Sequence, residues 1–253
     1  MEILLAGEKL SKYFGGLAAL SDLTFQIMRG EIVGLIGPNG AGKTTLVNVL
    51  TGIDPASKGK VWFRERDITH AKPYHIGRMG IARTFQVVKP FGGLTVGENV
   101  LIGALFGGSG MRRTKREALE KVEEILEFVG LLKERDKPVE ETTTPDRKRL
   151  ELAKALAMGP ELLLLDEVMA GLRPKEMEEM MVLLKSLNRE GMTILLIEHV
   201  MKAIMKISDR VIVLHQGRLI ANGTPDEIVR DEKVIKAYLG SRYGKRREEG
   251  DHA

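Results

Sequence analysis

Cysteine is missing from the 253 residues. Without a thiol there is no disulfide and no thiolate metal site, and a reducing compartment is compatible with the chain. Aromatic residues amount to 5%, with one tryptophan. No segment interleaves basic residues with aromatic ones, so no nucleic-acid partner is expected. A net charge of +4 on a chain with 29% charged residues describes an ordinary solvated surface. Long apolar runs are also absent. The longest uncharged apolar stretch, around residues 100–108, is far shorter than the roughly 20 residues that a helical membrane span needs. The first residues (MEILLAGEK) lack a basic head and a long apolar core, so no signal peptide is expected. Any membrane role should therefore come through a partner. Neither an internal repeat nor a low-complexity tract is visible. What remains is a chain with 43% hydrophobic residues, enough for a real core, and a length that suits one large domain or two small ones.

Residues 37–44 are Gly37, Pro38, Asn39, Gly40, Ala41, Gly42, Lys43 and Thr44. They fill every fixed position of G-x-x-x-x-G-K-[ST], the Walker A phosphate loop. Burying a triphosphate needs many donors at short range. Backbone N–H groups supply them where no side chain blocks the approach, hence Gly37, Gly40 and Gly42. Lys43 brings a positive charge to the outer phosphates, and the Thr44 hydroxyl suits Mg²⁺. Thr45 completes the expected nucleotide-binding set. A helix beginning near Lys43 would point its dipole and free N–H groups at the anion. The flanks agree: residues 31–36 (EIVGLI) form an apolar run expected of a buried parallel strand, and residues 45–50 have helical spacing. A chance match to the four fixed positions in a chain this long would occur roughly 1% of the time.

Along the chain, residues 3–9, 23–28 and 60–63 are expected as strands. In the second of these Leu23, Phe25 and Ile27 alternate with Thr24 and Gln26, the pattern of a half-exposed antiparallel strand. Residues 92–114 are rich in glycine and small side chains, a boundary signal. Residues 115–131 place Ala118, Val122, Ile125, Leu126 and Val129 on one helical face, and a second helix is expected over 146–158, ended by Gly159 and Pro160. The run 162–166 (LLLLD) reads as a central strand. A helix over 175–189 buries Met177, Met180, Met181 and Leu184 as core filler. Residues 192–197 and 211–214 are further buried strands. Strands alternating with helices argue for a parallel α/β sheet. Residues 241–253 are polar and expected to be a mobile tail.

An apolar strand that delivers Asp166 and Glu167 to its C-terminal edge is the Walker B arrangement. Asp166 would hold Mg²⁺, largely through water, and Glu167 is placed to orient and polarise the attacking water. A histidine at a strand end is usually just a satisfied polar residue. His199, one strand beyond Walker B, reads instead as a γ-phosphate contact. Gln86, in Ala82, Arg83, Thr84, Phe85, Gln86, is a candidate oxygen ligand for Mg²⁺.

With these motifs in place, the chain resembles the ATP-binding subunit of an ABC transporter, from Glu2 to about Gly240. The resemblance implies a P-loop NTPase (RecA-like) α/β core with an antiparallel β layer and a helical subdomain at about 92–157, all one domain over 1–240. It implies ATP and Mg²⁺ as cofactors. Phe14, just before Gly15 and Gly16, resembles the aromatic that stacks on adenine, with Tyr13 as the alternative. Gln86 resembles the Q-loop glutamine and His199 the switch histidine. Finer similarity lies in Gly80 to Gln86 (GIARTFQ), residues 95–103 (TVGENVLIG) and residues 235–240 (IKAYLG), which are similar to ATP-binding subunits of branched-chain amino-acid importers. Implied partners are membrane permease subunits, a second ATP-binding subunit in a head-to-tail dimer and, indirectly, a solute-binding protein. The implied location is the inner face of the cell membrane.

Two positions depart from the family pattern. The LSGGQ signature is replaced by Thr142, Thr143, Thr144, Pro145 and Asp146. Both glycines are gone, and Pro145 has no N–H for a phosphate. The D-loop aspartate is Arg173. In this family the signature of one subunit closes over the nucleotide of the other, so these changes bear on the partner's site. Three rivals stand beside the importer. Lipopolysaccharide-export ATPases share the 235–240 ending but fit the Gln86 region less well. Soluble ABC proteins of translation or repair usually carry two cassettes or long insertions. A nucleotide-gated regulator would not need the retained Glu167 and His199.

Overall fold

The computed structural model describes residues 2–85, 90–108 and 114–239. In chain order its elements are β1 (Ile3–Phe14), β2 (Leu17–Met28), β3 (Ile32–Ile36), α1 (Lys43–Leu50), β4 (Lys58–Phe63), β5 (Arg66–Asp67), α2 (Pro73–Met79), β6 (Ile81–Arg83), α3 (Val96–Phe106), α4 (Lys115–Phe128), α5 (Thr144–Ala157), β7 (Leu162–Asp166), α6 (Pro174–Arg189), β8 (Thr193–Ile197), α7 (Met201–Ile207), β9 (Arg210–His215), β10 (Arg218–Gly223), α8 (Pro225–Ile228) and α9 (Glu232–Leu239). They group into two compact units, Met1–His70 with Ile204–Ala253, and Ala71–Ala203.

The first unit contains the antiparallel layer, in the order β2-β1-β4-β5. Leu23, Phe25 and Ile27 are buried and Thr24 and Gln26 exposed, as the alternation requires. Both long strands run further than the sequence pattern shows. Register shifts interrupt their pairing, and Lys9 and Asp22 sit at positive φ, so the alternation breaks although the ladder continues. In the same unit β3 is buried along its whole length and pairs in parallel with β9. A Cβ on Gly34 would lie 2.8 Å from Ile204 and 2.9 Å from the Ser208 hydroxyl, so this glycine lets the end of α7 lie against β3. Arg210 joins the pieces: its guanidinium meets Glu31 at 2.7 Å and donates to the Gln26 carbonyl at 2.7 Å.

The second unit contains the parallel strands β6, β7 and β8. Leu162, Leu163, Leu164 and Leu165 are each 0% exposed, and burying each contributes about 2 kcal/mol. Helices α3, α4 and α5 pack against one another.

Helix α3, Val96–Phe106, lies within the glycine-rich stretch 92–114 that gave a boundary signal. Thr95 and Glu98 cap it reciprocally. Its glycines serve packing, not chain flexibility: a Cβ on Gly103 would lie 2.6 Å from the Lys154 carbonyl oxygen, and one on Gly107 would strike Met158. The chain ends α4 at Phe128, earlier than the apolar pattern suggests, with Gly130 in the left-handed region at φ 75°. Among the described residues no helix is long and apolar enough to cross a membrane.

Candidate functional site

In the first unit, β3 runs into the Walker A loop and the loop into α1, whose first residue is Lys43. Gly42 is the N-cap at φ 104°, and a Cβ there would lie 2.8 Å from the Ala19 carbonyl oxygen. At Gly37 a Cβ would run into the Leu214 carbonyl. Gly40 differs: it is left-handed at φ 77°, with nothing within 4 Å of its absent Cβ, so the loop stays open there. The Gly217 N–H fastens the loop by donating to the Ala41 carbonyl at 3.0 Å. Lys43 is buried, and its ammonium donates to the carbonyls of Gly37 at 2.6 Å and Pro38 at 3.1 Å. Asn39 and Thr44 are exposed, and Pro38 and Thr45 half-buried. At the end of β1, Tyr13 and Phe14 are both exposed. Lys12 Nζ lies 5.0 Å from the Phe14 ring centroid and Lys58 Nζ 5.8 Å from that of Tyr13.

One contrast defines this loop. Among the described helices of eight residues or more, every one except α1 carries a carboxylate at its N-terminus. Glu98, Glu117 and Asp146 each complete a threonine capping box on α3, α4 and α5. Glu176 accepts the Arg173 N–H at 2.7 Å at the start of α6, and Asp231 accepts the Lys233 N–H at 2.7 Å at the start of α9. Helix α1 has no side-chain cap and no acidic residue in its first turn. No side chain of the helix competes there with an external anion for the positive end of the dipole.

In the second unit, Asp166 ends β7, 4% exposed. Its Oδ2 accepts from the Arg83 guanidinium at 2.9 Å, and its N–H donates to Thr84 Oγ1 at 3.1 Å. Glu167 follows at φ 52°, a left-handed conformation that costs a residue with a side chain roughly 1 kcal/mol or more. Its carboxylate Oε1 accepts from His199 Nε2 at 2.7 Å, so the structure joins these two expected site residues. The Glu167 carbonyl accepts from Lys148 Nζ at 2.9 Å. Glu198, 3% exposed, accepts the Met169 N–H at 2.7 Å. Burial pushes the Glu198 carboxyl up to about 7, and the charge of Glu167 adds to this, against the opposing pull of the Met169 N–H and Lys148.

Arg83, Lys148 and Glu198 were not singled out from the sequence. For Arg83 a signal existed: a buried carboxylate needs a counter-charge or hydrogen-bond donors. Gln86 lies outside the described residues. The segment leading to it borders an apolar groove of about 490 Å³, lined among others by Arg83, Phe85, Phe91, Ile102, Phe106 and Met158. Phe85, Phe91 and Phe106 are exposed, at 48%, 47% and 75%.

At the altered signature, Thr142 is buried and its hydroxyl donates to the Val139 carbonyl at 2.6 Å. Thr143 is the N-cap of α5, and its hydroxyl donates to Asp146 Oδ2 at 2.6 Å. A carboxylate therefore covers this helix end from within the chain.

A family model described as ABC transporter matches residues 20–170, and one described as branched-chain amino acid ATP-binding cassette transporter matches residues 218–244. The high-affinity branched-chain amino acid transport ATP-binding protein LivG of Salmonella typhimurium is 44% identical over 249 residues, covering 94% of this chain and 98% of the relative. The protein of the same description named BraF, from Pseudomonas aeruginosa, is 38% identical over 243 residues, covering 91% and 95%. A crystal structure of an ABC-transporter ATP-binding cassette in its ADP conformation matches with a TM-score of 0.87 at 32% identity, covering 95% of this chain and 100% of the other.

Proposed function

Since the chain belongs to the ABC transporter family, we propose that it is the ATP-hydrolysing subunit that powers a membrane importer for branched-chain or related amino acids. The observation that carries the reading is the bare N-terminus of α1, entered through a complete Walker A loop, while the other long helices begin with a carboxylate of their own.

The reaction is ATP + H₂O to ADP and phosphate. Phe14 or Tyr13 stacks on the adenine. Backbone N–H groups of residues 37–45 hold the phosphates. Lys43 exchanges its bonds to the Gly37 and Pro38 carbonyls for bonds to phosphate oxygen, a charge-assisted contact of the stronger kind. Thr44, Asp166 and Gln86 are the oxygen donors assigned to Mg²⁺. A hydroxyl, a carboxylate and an amide oxygen are hard ligands of the kind that would hold this ion. When bound, Mg²⁺ neutralises charge on the outer phosphates. Glu167 accepts a hydrogen bond from the attacking water and turns its lone pair toward phosphorus. His199 fixes the Glu167 carboxylate through the 2.7 Å bond and is assigned the γ-phosphate contact.

The exposed side chains of Phe85, Phe91 and Phe106 in the apolar groove are the docking surface assigned to the permease. The chain then works at the inner face of the membrane as a peripheral subunit, its helical arm at about 92–157, paired with a second ATP-binding subunit. A solute-binding protein meets the complex only through the permease. Names of relatives at 44% and 38% identity favour the amino-acid importer over the lipopolysaccharide exporter. Reconstitution of the chain with its permease in proteoliposomes tests this. ATP-dependent uptake of leucine, isoleucine or valine is expected. Lipid-stimulated ATPase without amino-acid uptake would favour the exporter instead.

A further inference from the structure

Glu167 stands in a conformation that its neighbours must impose. Its φ of 52° is left-handed, and neither glycine nor asparagine occupies the position. The Ala170 N–H closes the turn that it opens by donating to the Glu167 carbonyl at 3.2 Å, and three further bonds anchor it. The Glu167 N–H donates to the Ile197 carbonyl at 2.9 Å. The Glu167 carbonyl accepts from Lys148 Nζ at 2.9 Å. Two residues on, the Met169 N–H donates to Glu198 Oε1 at 2.7 Å. The lysine and the glutamate are 7% and 3% exposed. Ionisable groups are rarely buried this far without being paired or hydrogen-bonded, and here both bonds are made to the same short backbone segment.

We propose that Lys148 is a positioning residue for hydrolysis, holding the backbone of Glu167 so that its carboxylate meets the attacking water, with Glu198 fixing the other end of the turn. The proposal rests on the reading of Glu167 as the water-orienting group. An ammonium on a carbonyl is a charge-assisted bond, stronger than a neutral one. It pins the peptide immediately after the side chain that must be aimed, and His199 holds that side chain's own oxygen. Misplacing a reacting group by about 1 Å can cost roughly 100-fold in rate. Lys148 belongs to α5, the helix that Thr143 opens at the altered signature. A shift of α5 therefore acts directly on the Glu167 peptide, through one side chain.

The bland alternative is that Lys148 only neutralises the buried acid Glu198. The test uses the assembled transporter, with nucleotide binding, KM, kcat and thermal stability measured together. Lys148→Met keeps the length and removes the donor. We expect kcat to fall by roughly 10- to 100-fold, with KM and ATP affinity within about twofold, and Lys148→Arg to recover most of the rate. Lys148→Met combined with Glu198→Gln leaves no buried charge unmatched, so it keeps the comparison sound if the single variant fails to fold. Under the proposal this double variant stays slow; recovery of the wild-type rate would overturn it in favour of charge balance. In a Glu167→Gln background, Lys148→Met should have no further effect on single-turnover hydrolysis. An equal fold-loss in both backgrounds would overturn the proposal. A Glu167→Gln protein that hydrolyses normally would instead remove the reading beneath it.

Discussion

Arg83 and Asp166 form an ion pair at 2.9 Å in which the two side chains are 9% and 6% exposed. The guanidinium also lies over the Phe85 ring, 5.2 Å from its centroid, and lines the apolar groove. One side chain thus touches both the Walker B carboxylate and the surface assigned to the permease. Removing one member of a buried pair strands the other. Arg83→Met should therefore destabilise the protein by about 3 kcal/mol, and adding Asp166→Asn should return most of that. Urea denaturation of the two variants measures it, and equal stability of Arg83→Met and wild type would show the pair to be idle.

Stability should depend on pH through Glu198. Its carboxyl is raised from 4.5 to about 7, so the folded protein holds a proton that the unfolded chain releases. The group's contribution is complete below pH 4.5 and is lost as pH rises through about 7. Over that window the loss approaches about 3 kcal/mol, since each pH unit between the two values is worth about 1.4 kcal/mol. Denaturation midpoints between pH 4.5 and 8 should fall for the wild type, and Glu198→Gln should flatten the curve. Parallel curves would remove Glu198 as the cause.

Binding and chemistry should separate cleanly. Lys43→Ala removes the ammonium from the loop and should weaken ATP binding. Glu167→Gln should bind ATP as before and lose roughly 100-fold or more in hydrolysis. Nucleotide affinity and turnover in the full complex check both, and normal turnover of Glu167→Gln would contradict its assigned role.

The two ATP sites of the complex should be unequal. Where the family signature offers glycine N–H groups, this chain has Thr144 and Pro145, and the Asp146 carboxylate already caps the helix. The partner's nucleotide would meet a tethered negative charge and fewer donors. The developing charge would lack stabilisation on the order of 3 kcal/mol. A partner with an intact signature would complete the site over this chain's own loop. Glu167→Gln should then reduce ATPase far more than the equivalent change in the partner subunit. Equal losses would sink the asymmetric model.

Much of this was legible from residue order, because the relevant signals are local. The Walker A spacing, the LLLLD run of β7 and the alternation in β2 are each contained in a few consecutive residues. Three kinds of feature were not. Strand β6, Ile81–Arg83, is too short to show a period. Helix α3 was hidden by glycines whose purpose, close approach to Lys154 and Met158, exists only once α5 is beside them. The ties around the Walker B segment join residues 83, 19 and 29 positions apart, and nothing in the intervening sequence marks them as neighbours.

The helix ends described above behave like an ion-exchange surface most of whose sites are already loaded. Glu98, Glu117, Asp146, Glu176 and Asp231 act as counter-ions that never diffuse away, because the chain itself holds them. A soluble anion meets covalently tethered competition at those positions and none at α1. Among the helices of eight residues or more, selectivity for α1 then comes from filling the decoys as well as from shaping the target. Free phosphate and the phosphates of ATP should consequently contend for the same end of the same helix.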